Sequence, residues 1–286
     1  MNGRRLIYAV MIAVVAIPIL AKLTLTPARM VAAEKMYQLI EGMTFKEGEV
    51  AMLWLDFGPS SVAENQAQSE VILEHLFRRR IPTIVVSQYV QAETFLKNLP
   101  LDTAERLTKE NSGQSWKYGE DWINVGYKPG AALFMQGLAK SDNISALLGK
   151  DTNGTELSSF PKFAKVGGLE QIKLVGEVTS LVGVFDSIIQ FFQKDGYRPL
   201  VVHGCTSITV PEAYIFLDSG QLNGLLEGIA GAAWYSQLLS KANPTRAADT
   251  SLVRSTALSI AQLAVMALIF LGNAVAFVTW LRRKYA

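Results

Sequence analysis

The chain has 286 residues, of which 50% are hydrophobic and 18% are charged, so it is more apolar and less charged than an ordinary soluble domain. Its net charge of +2 gives no reason to expect nucleic acid as a partner, and its one cysteine, Cys205, excludes an internal disulfide framework. The apolar excess lies at the two ends of the chain, which predicts a membrane protein whose partner is the lipid bilayer.

The N-terminal segment is predicted to be a transmembrane anchor over residues 1–26. Residues 6–21 carry no charge and follow Arg4 and Arg5. The alternative is a cleaved signal peptide, because such peptides also have a basic start before an apolar run. The sequence Ile19-Leu20-Ala21 places a bulky residue where cleavage requires a small one, so the anchor is favoured.

The C-terminal segment, residues 255–281, contains no charged residue and is predicted to be a second transmembrane helix. At about 1.5 Å per residue it is long enough to cross a hydrocarbon core of about 30 Å. Trp280 stands near its end, where an interfacial aromatic residue is expected. The alternative, a buried core helix, is disfavoured by this length. Linkers are predicted at 27–45, with a short amphipathic helix, and at 243–254.

The orientation follows from the basic residues next to the two spans. Arg4 and Arg5 lie in one short tail, and residues 282–286 form another basic tail. Short basic tails stay in the cytoplasm, whereas a large domain is translocated largely regardless of its charge. We therefore expect a two-pass protein of the inner membrane, with both termini cytoplasmic and the domain between them extracytoplasmic.

Residues 46–242 are predicted to form one α/β domain. An apolar run at 49–56 predicts a buried first strand. Ser61, with Glu64 three residues later, has the spacing of a capping box and predicts a helix that ends near Arg79. The next elements in chain order are a strand at 81–87, a polar stretch with one or two helices at 91–120, a strand at 122–127 and a helix at 130–140.

The second half of the domain continues the same alternation. Turn-forming pairs predict a long loop at 150–168. The elements predicted after this loop are a strand at 172–178, a helix at 184–192, a strand at 200–203 and a long helix that begins at Ser219 and ends near Lys241. Apolar strands separated by helices predict a doubly wound, mostly parallel five-stranded sheet, either Rossmann-like or flavodoxin-like, flanked by the two transmembrane helices.

Two stretches carry a resemblance to a known kind of protein: residues 118–130, YGEDWINVGYKPG, and residues 219–226, SGQLNGLL, followed by Gly228, Gly231, Ala232 and Ala233. They resemble motifs of an uncharacterised bacterial membrane-protein family with terminal hydrophobic helices around an α/β domain. The resemblance implies this architecture over most of the chain. It implies no reaction, ligand or cofactor, so the cofactor stays unassigned and no catalytic residue is carried over.

Polar side chains follow the predicted strands at their carboxyl ends, where ligands bind in doubly wound sheets. The candidate cleft consists of Asp56, Ser61, Ser87, Tyr127, Lys128, Thr179 and His203. Lys128 suits an anionic group, and Asp56 suits a hydroxyl, an amine or a metal-bound water. The alternative is that these are ordinary loop and capping residues, with Asp56 and Lys128 neutralising each other in a structural pair.

Standard catalytic signatures are absent from the sequence. It contains neither the GxGxxG nor the GxxxxGK[ST] phosphate-binding spacing, and neither a GxSxG elbow nor an HExxH pair. His203 and Cys205 alternate on one strand and suggest a metal or thiol site only if further ligands join them. The alternative is a buried structural Cys205, and no metal site is predicted.

A row of small residues marks the predicted helix after Ser219. Gly220, Gly224, Gly228 and Ala232 recur every four residues, and each interior glycine costs about 1 kcal/mol relative to alanine. A close packing contact would explain the row. Three partners are considered: the sheet of the same domain, a neighbouring subunit and a lipid-embedded helix, the last being the least favoured. A neighbouring subunit would make the protein part of a homo-oligomer or of a membrane complex.

Two classes of function remain. The first is a membrane-tethered α/β module that binds a ligand or partner, or assembles a membrane complex. The second is a membrane-bound enzyme with its active site at the carboxyl edge of the sheet. The first is favoured because the sequence shows no complete catalytic constellation.

Overall fold

The computed structural model describes residues 3–246 and 250–285. It divides into two compact units. The helical unit comprises Met1–Pro27 with Ala248–Ala286, and the α/β unit comprises Ala28–Ala247.

Helices and strands alternate through most of the α/β unit, and the helices at the two ends of the chain belong to the helical unit. The helices are α1 (Gly3–Leu20), α2 (Val31–Gly42), α3 (Val62–Arg78), α4 (Glu93–Glu110), α5 (Ala131–Lys140), α6 (Ile144–Leu148), α7 (Val184–Phe191), α8 (Val210–Asp218), α9 (Gly228–Ala242) and α10 (Thr250–Tyr285). The strands are β1 (Val50–Asp56), β2 (Thr83–Ser87), β3 (Trp122–Tyr127), β4 (Ile172–Thr179), β5 (Leu200–Cys205) and β6 (Gly224–Glu227).

The strands of the α/β unit form one six-stranded parallel sheet in the order β3-β2-β1-β4-β5-β6. The predicted parallel α/β architecture is confirmed, and five predicted strands are present. Of the two topologies that the sequence left open, this order matches the Rossmann-like arrangement and not the flavodoxin-like one. Helices α2, α3, α4 and α9 contribute to the core on one face of the sheet, and α5, α7 and α8 contribute to the core on the other.

Strand β1 shows why the sheet is covered on both faces. All seven of its residues are buried. Leu53 and Leu55 belong to one core, whereas Met52 and Trp54 belong to the other, because successive side chains of a strand point to opposite faces. A strand that is apolar at both parities is stable only between two layers of helices.

The sixth strand was not predicted from the sequence. The helix expected to begin at Ser219 is wrong: α8 ends there, and Gly220 turns the chain with φ of 74°. The chain then forms β6 and continues as α9. Leucines in this segment suit a helix or a strand equally, and the choice is made by pairing with β5, next to which β6 lies in parallel.

The predicted capping box at the start of α3 is also wrong. A short 3₁₀ turn, Pro59–Ser61, precedes the helix, and the side chain of Ser61 makes no capping hydrogen bond. Glu64 instead accepts hydrogen bonds from the backbone N–H and the hydroxyl of Ser207, at 2.8 and 2.7 Å. A tertiary partner after β5 therefore replaces the local one.

The helical unit contains the long apolar helix that the C-terminal sequence predicted. Among the described residues, Ser251–Lys284 is long and apolar enough to cross a membrane by length and composition, with a mean hydropathy of 2.1 over its most apolar window. The helix begins at Thr250 and so takes up part of the linker predicted at 243–254. Residues 247–249 of that linker lie outside the described residues.

Helix α1 forms where the N-terminal anchor was predicted and has 18 residues. It packs along α10 within the helical unit. The backbone N–H of Leu25 also donates to the hydroxyl of Thr256, at 2.9 Å. Whether α1 crosses a membrane stays a prediction.

Candidate functional site

The topological switch point of the sheet lies between β1 and β4. The chain leaves β1 toward β2 on one side, whereas β4, on the other side of β1, leads on to β5, so the crossovers diverge at this point. Diverging crossovers open a crevice at the carboxyl ends of such strands. Asp56 ends β1 and Thr179 ends β4, and the two residues are register partners.

Asp56 is fully buried at this position and is held by the end of β2. Its Oδ1 accepts a hydrogen bond from the hydroxyl of Ser87 and another from the backbone N–H of Gln88, each at 2.6 Å. The hydroxyl of Thr179 donates to the main-chain oxygen of Asp56 at 2.8 Å. The structure therefore brings together three of the predicted cleft residues, Asp56, Ser87 and Thr179.

Glu177 is the main residue of this site that sequence reasoning missed. It is fully buried in β4, opposite Trp54 of β1. Successive side chains of a strand alternate between faces, so Glu177 lies on the same face as Val175, and Asp56 on the same face as Trp54. Val175 and Trp54 belong to the same core, so both carboxyl side chains start from one face of the sheet. The sequence offered a weak signal, since Glu177 is an acidic residue between Gly176 and Val178 in a mostly apolar strand.

The two carboxyl groups influence each other. Burial and the neighbouring Asp56 raise the pKa of Glu177 well above its ordinary value. Burial also raises the pKa of Asp56, and the hydrogen bonds from Ser87 and Gln88 oppose this rise. Among the described residues, Asp56 Oδ2 and both carboxyl oxygens of Glu177 have no hydrogen-bond donor. Two ionised carboxylates cannot hydrogen bond to each other, but a pair with one proton can.

His203 is the register partner of Glu177 on β5 and lies in the same region. Its Nδ1 is 2.9 Å from the main-chain oxygen of Glu177, and its ring stacks on Phe185 with centroids 4.1 Å apart. Burial lowers the pKa of His203 to about 4, so its ring is neutral at neutral pH. A cavity of about 20 Å³ beside Thr179 and His203 has room for one water molecule.

Lys128 and Tyr127 are not part of this arrangement. The Lys128 ammonium donates to the main-chain oxygen of Leu148 at 2.8 Å, and burial lowers its pKa. Among the described residues it makes no ion pair with Asp56, so the structural pair considered from the sequence is wrong. The Tyr127 side chain is exposed, and the Ser61 hydroxyl is buried without a hydrogen-bond partner among the described residues.

Cys205 is buried, and its Sγ lies 3.8 Å from the main-chain oxygen of Leu226. Burial raises the pKa of its thiol to about 12, which disfavours the thiolate. No group of three His, Cys, Asp or Glu residues that could hold a metal ion occurs in the part of the chain that the structure describes.

The glycines predicted as an interface do not share a helix face, because Gly224 lies in β6 and Gly228 starts α9. A Cβ on Gly224 would lie 2.5 Å from Cβ of Met36, so this glycine lets α2 approach the sheet. Gly228 has φ of 57° and faces Ser207 and Glu64, while Ala232 is buried in the core. Contacts within the domain thus account for these three residues, and a subunit contact stays a prediction.

A larger cavity lies away from the switch point, between α4 and β3, and has a volume of about 500 Å³. Its walls include Lys97, Trp116, Tyr118, Trp122 and Asn153. The Tyr118 hydroxyl is already bonded to Asp151, at 2.7 Å, and the Trp116 indole to the main-chain oxygen of Phe77. These polar atoms already have partners, whereas Asp56 Oδ2 and the Glu177 carboxyl group have none in the part of the chain that the structure describes, so the switch point is the stronger candidate site.

Comparison of the chain with models of known protein families, with curated proteins and with solved structures gives no match. The molecule is thus defined by its own geometry as a parallel α/β domain followed by one long apolar helix.

Proposed function

We propose that this protein is a membrane-tethered α/β module that binds a small polar ligand or a partner group at the carboxyl edge of β1 and β4. The observation that carries the proposal is a set of buried polar atoms at the switch point, on Asp56 and Glu177, that have no partner among the described residues. Parallel α/β sheets bind ligands at this place because loops and helix N-termini converge there.

The tether in this proposal consists of α10 and α1, both crossing the inner membrane of a bacterium. For α10, the membrane span is supported by its apolar surface and by the basic residues Arg282 and Arg283 at its end. For α1, the membrane span is supported by Arg4 and Arg5, which precede its apolar part. Both tails then face the cytoplasm, and the α/β unit lies outside it. This is also the architecture of the membrane-protein family that the sequence resembles.

A membrane-bound enzyme is the second candidate, and the Asp56–Glu177 pair is the observation that favours it. The pKa of each group is raised, and a pair that shares one proton would place an acid beside a base. Both groups are fully buried, so a substrate, like any other ligand of this site, would reach them only after the crevice opens. The binding function requires no such chemistry and is preferred.

The topology is tested by labelling with a membrane-impermeant thiol reagent in spheroplasts. Gln114→Cys lies in an exposed turn of the α/β unit and should be labelled without lysis. Arg283→Cys in the C-terminal tail should be labelled only after lysis. The unmodified protein is the control for background labelling, because its Cys205 is buried. Labelling of Gln114→Cys only after lysis would contradict the proposed orientation.

Ligand binding is tested on the full chain in detergent with a panel of nucleotides, amino acids, sugars and divalent cations. A ligand of the switch point should raise the melting temperature by mass action. Ser87→Ala, which removes a donor to Asp56, should weaken that shift, whereas Ser112→Ala in an exposed turn should not. A shift that is equal in the Ser87→Ala variant and the unmodified protein would place the ligand elsewhere.

A further inference from the structure

We propose that Asp56 and Glu177 form a proton-binding site in the core of the α/β unit, where a single proton is held between Asp56 Oδ2 and the Glu177 carboxyl group. The domain folds with this proton and loses stability as the pH rises above the range in which the unfolded chain releases it. The inference goes beyond the proposed function and does not depend on a ligand.

The first support is the placement of the two side chains. Asp56 and Glu177 lie on hydrogen-bonded neighbouring strands, and both start from the same face of the sheet. Glu177 is opposite Trp54, two positions before the register partner of Asp56. Both residues are 0% exposed, so water does not screen one carboxyl group from the other.

The second support is the hydrogen-bond inventory. Asp56 Oδ1 accepts from Ser87 and Gln88, but Asp56 Oδ2 and both oxygens of Glu177 have no donor among the described residues. The Nε1–H of Trp54, which lies opposite Glu177 on β1, is also buried with no acceptor in residues 3–246 and 250–285. Buried polar atoms normally have partners, so such a cluster of orphans indicates a missing bonding atom. A proton on Glu177 supplies the donor that Asp56 Oδ2 lacks.

The third support is the absence of a compensating cation near the pair, among the residues that the structure describes. Every influence on the pKa of Glu177 comes from burial and from Asp56. His203 on β5 is neutral because burial lowers its pKa to about 4. Lys128 is bonded to Leu148, and the other titratable groups at the adjoining small cavity, Asp186 and Glu212, are acidic and supply no positive charge.

These facts decide which group holds the charge. Two like charges in contact in a buried site cannot both ionise, so one carboxyl group keeps a proton. Asp56 receives two hydrogen bonds that stabilise its charged form, whereas Glu177 receives none among the described residues. The negative charge therefore resides on Asp56 and the proton on Glu177.

The dependence of stability on pH follows from this assignment. The pKa of Glu177 is raised in the folded protein, so the folded state keeps a proton that the unfolded state releases above the ordinary glutamate pKa of 4.5. Stability therefore falls as the pH rises above that value, until the pH passes the folded pKa. For one proton, the unfolding equilibrium constant increases by up to ~10-fold per pH unit.

The test measures unfolding of the full chain in detergent between about pH 5 and about pH 8. Glu177→Gln keeps the shape and a donor for Asp56 but cannot ionise, so the dependence on pH in this range should become flatter and the variant should be the more stable protein at the alkaline end. Glu105→Gln changes an exposed glutamate of α4 and should keep the original dependence. An unchanged dependence in Glu177→Gln would overturn the proposal.

A second measurement does not require the variant to be stable. The infrared spectrum of the folded, unmodified protein at neutral pH should show the carbonyl absorption of a protonated carboxylic acid, which shifts in D₂O. Asp56→Asn, whose amide donates to Glu177, should let Glu177 ionise and remove the band. Absence of the band from the unmodified protein, or its persistence in both Asp56→Asn and Glu177→Gln, would overturn the proposal.

Discussion

Two buried glutamates at opposite edges of the sheet show how the same residue type acquires opposite properties. Glu74, near the amino edge, has a carboxylate bonded to three arginines: Arg246 at 2.7 and 2.8 Å, Arg78 at 2.8 Å and Arg106 at 2.9 Å. Burial alone would raise its pKa, but the hydrogen bonds and charge of Arg246, together with the charges of Arg106 and Arg78, lower it to about 2.

Glu177, toward the carboxyl edge, is at least as deeply buried and has another acid beside it in place of arginines. The difference teaches that burial does not fix the state of a carboxyl group; the neighbouring donors do. At the amino edge the three arginines compensate the charge of Glu74, and these ion pairs connect α3, α4 and the segment after α9. At the carboxyl edge, Asp56 Oδ2 and the Glu177 carboxyl oxygens have no partner within the described part of the chain, as is common where a fold retains a functional site.

The largest effect is expected from Glu74→Ala. This change removes the carboxylate from three arginines, of which Arg246 has a fully buried side chain. Breaking a buried ion pair on one side costs about 3–5 kcal/mol. Chemical denaturation of the full chain should show this loss, while Glu105→Ala on the exposed side of α4 should change stability by no more than about 0.5 kcal/mol. An equal effect of both changes would refute the compensating role of Glu74.

The acid side of the pH profile provides the next contrast. The lowered pKa of Glu74 stabilises the folded state above the ordinary value of 4.5, and this contribution is lost as the pH falls from there toward about 2. The loss should be on the order of 3 kcal/mol. Glu74→Gln should flatten this arm of the profile, and Glu177→Gln should leave it unchanged. If both variants retain the acid arm, other carboxylates cause it.

A smaller effect separates Gly224, which packs against α2, from Gly42, the last residue of α2. A Cβ at Gly224 would collide with Cβ and Cα of Met36, atoms that cannot move without shifting the helix. Gly224→Ala should therefore destabilise the domain by about 1–3 kcal/mol. Gly42→Ala, at the end of α2 with no atom nearby, should be neutral or stabilising. Equal melting temperatures for both variants would show that α2 adapts without cost.

The smallest expected effect is the coupling between Asp56 and Lys128. The structure gives them separate partners, Ser87 with Gln88 for Asp56 and Leu148 for Lys128. A double-mutant cycle with Asp56→Asn and Lys128→Met should give a coupling below about 0.5 kcal/mol. A larger coupling would mean that the two side chains meet in solution.

The sequence alone was sufficient where a pattern has a local physical cause. Strand β1 was recognised because a run that is apolar at both parities suits only a sheet covered on both faces. The long C-terminal helix was recognised because an uncharged segment of this length has few other structures available. The cleft residues Asp56, Ser87 and Thr179 follow from the rule that parallel strands end at the same edge.

Tertiary structure alone decided the rest. Residues 224–227 have side chains that a helix or a strand accepts, and only the free edge of β5 selects the strand. Glu64 has the spacing of a capping residue, yet Ser207, distant in sequence, provides its partners. Glu177 is one acid in a mostly apolar strand, and only the pairing of that strand with β1 places Asp56 beside it. Pairing, partner choice and the charge of a buried group depend on atoms distant along the chain, which local patterns do not specify.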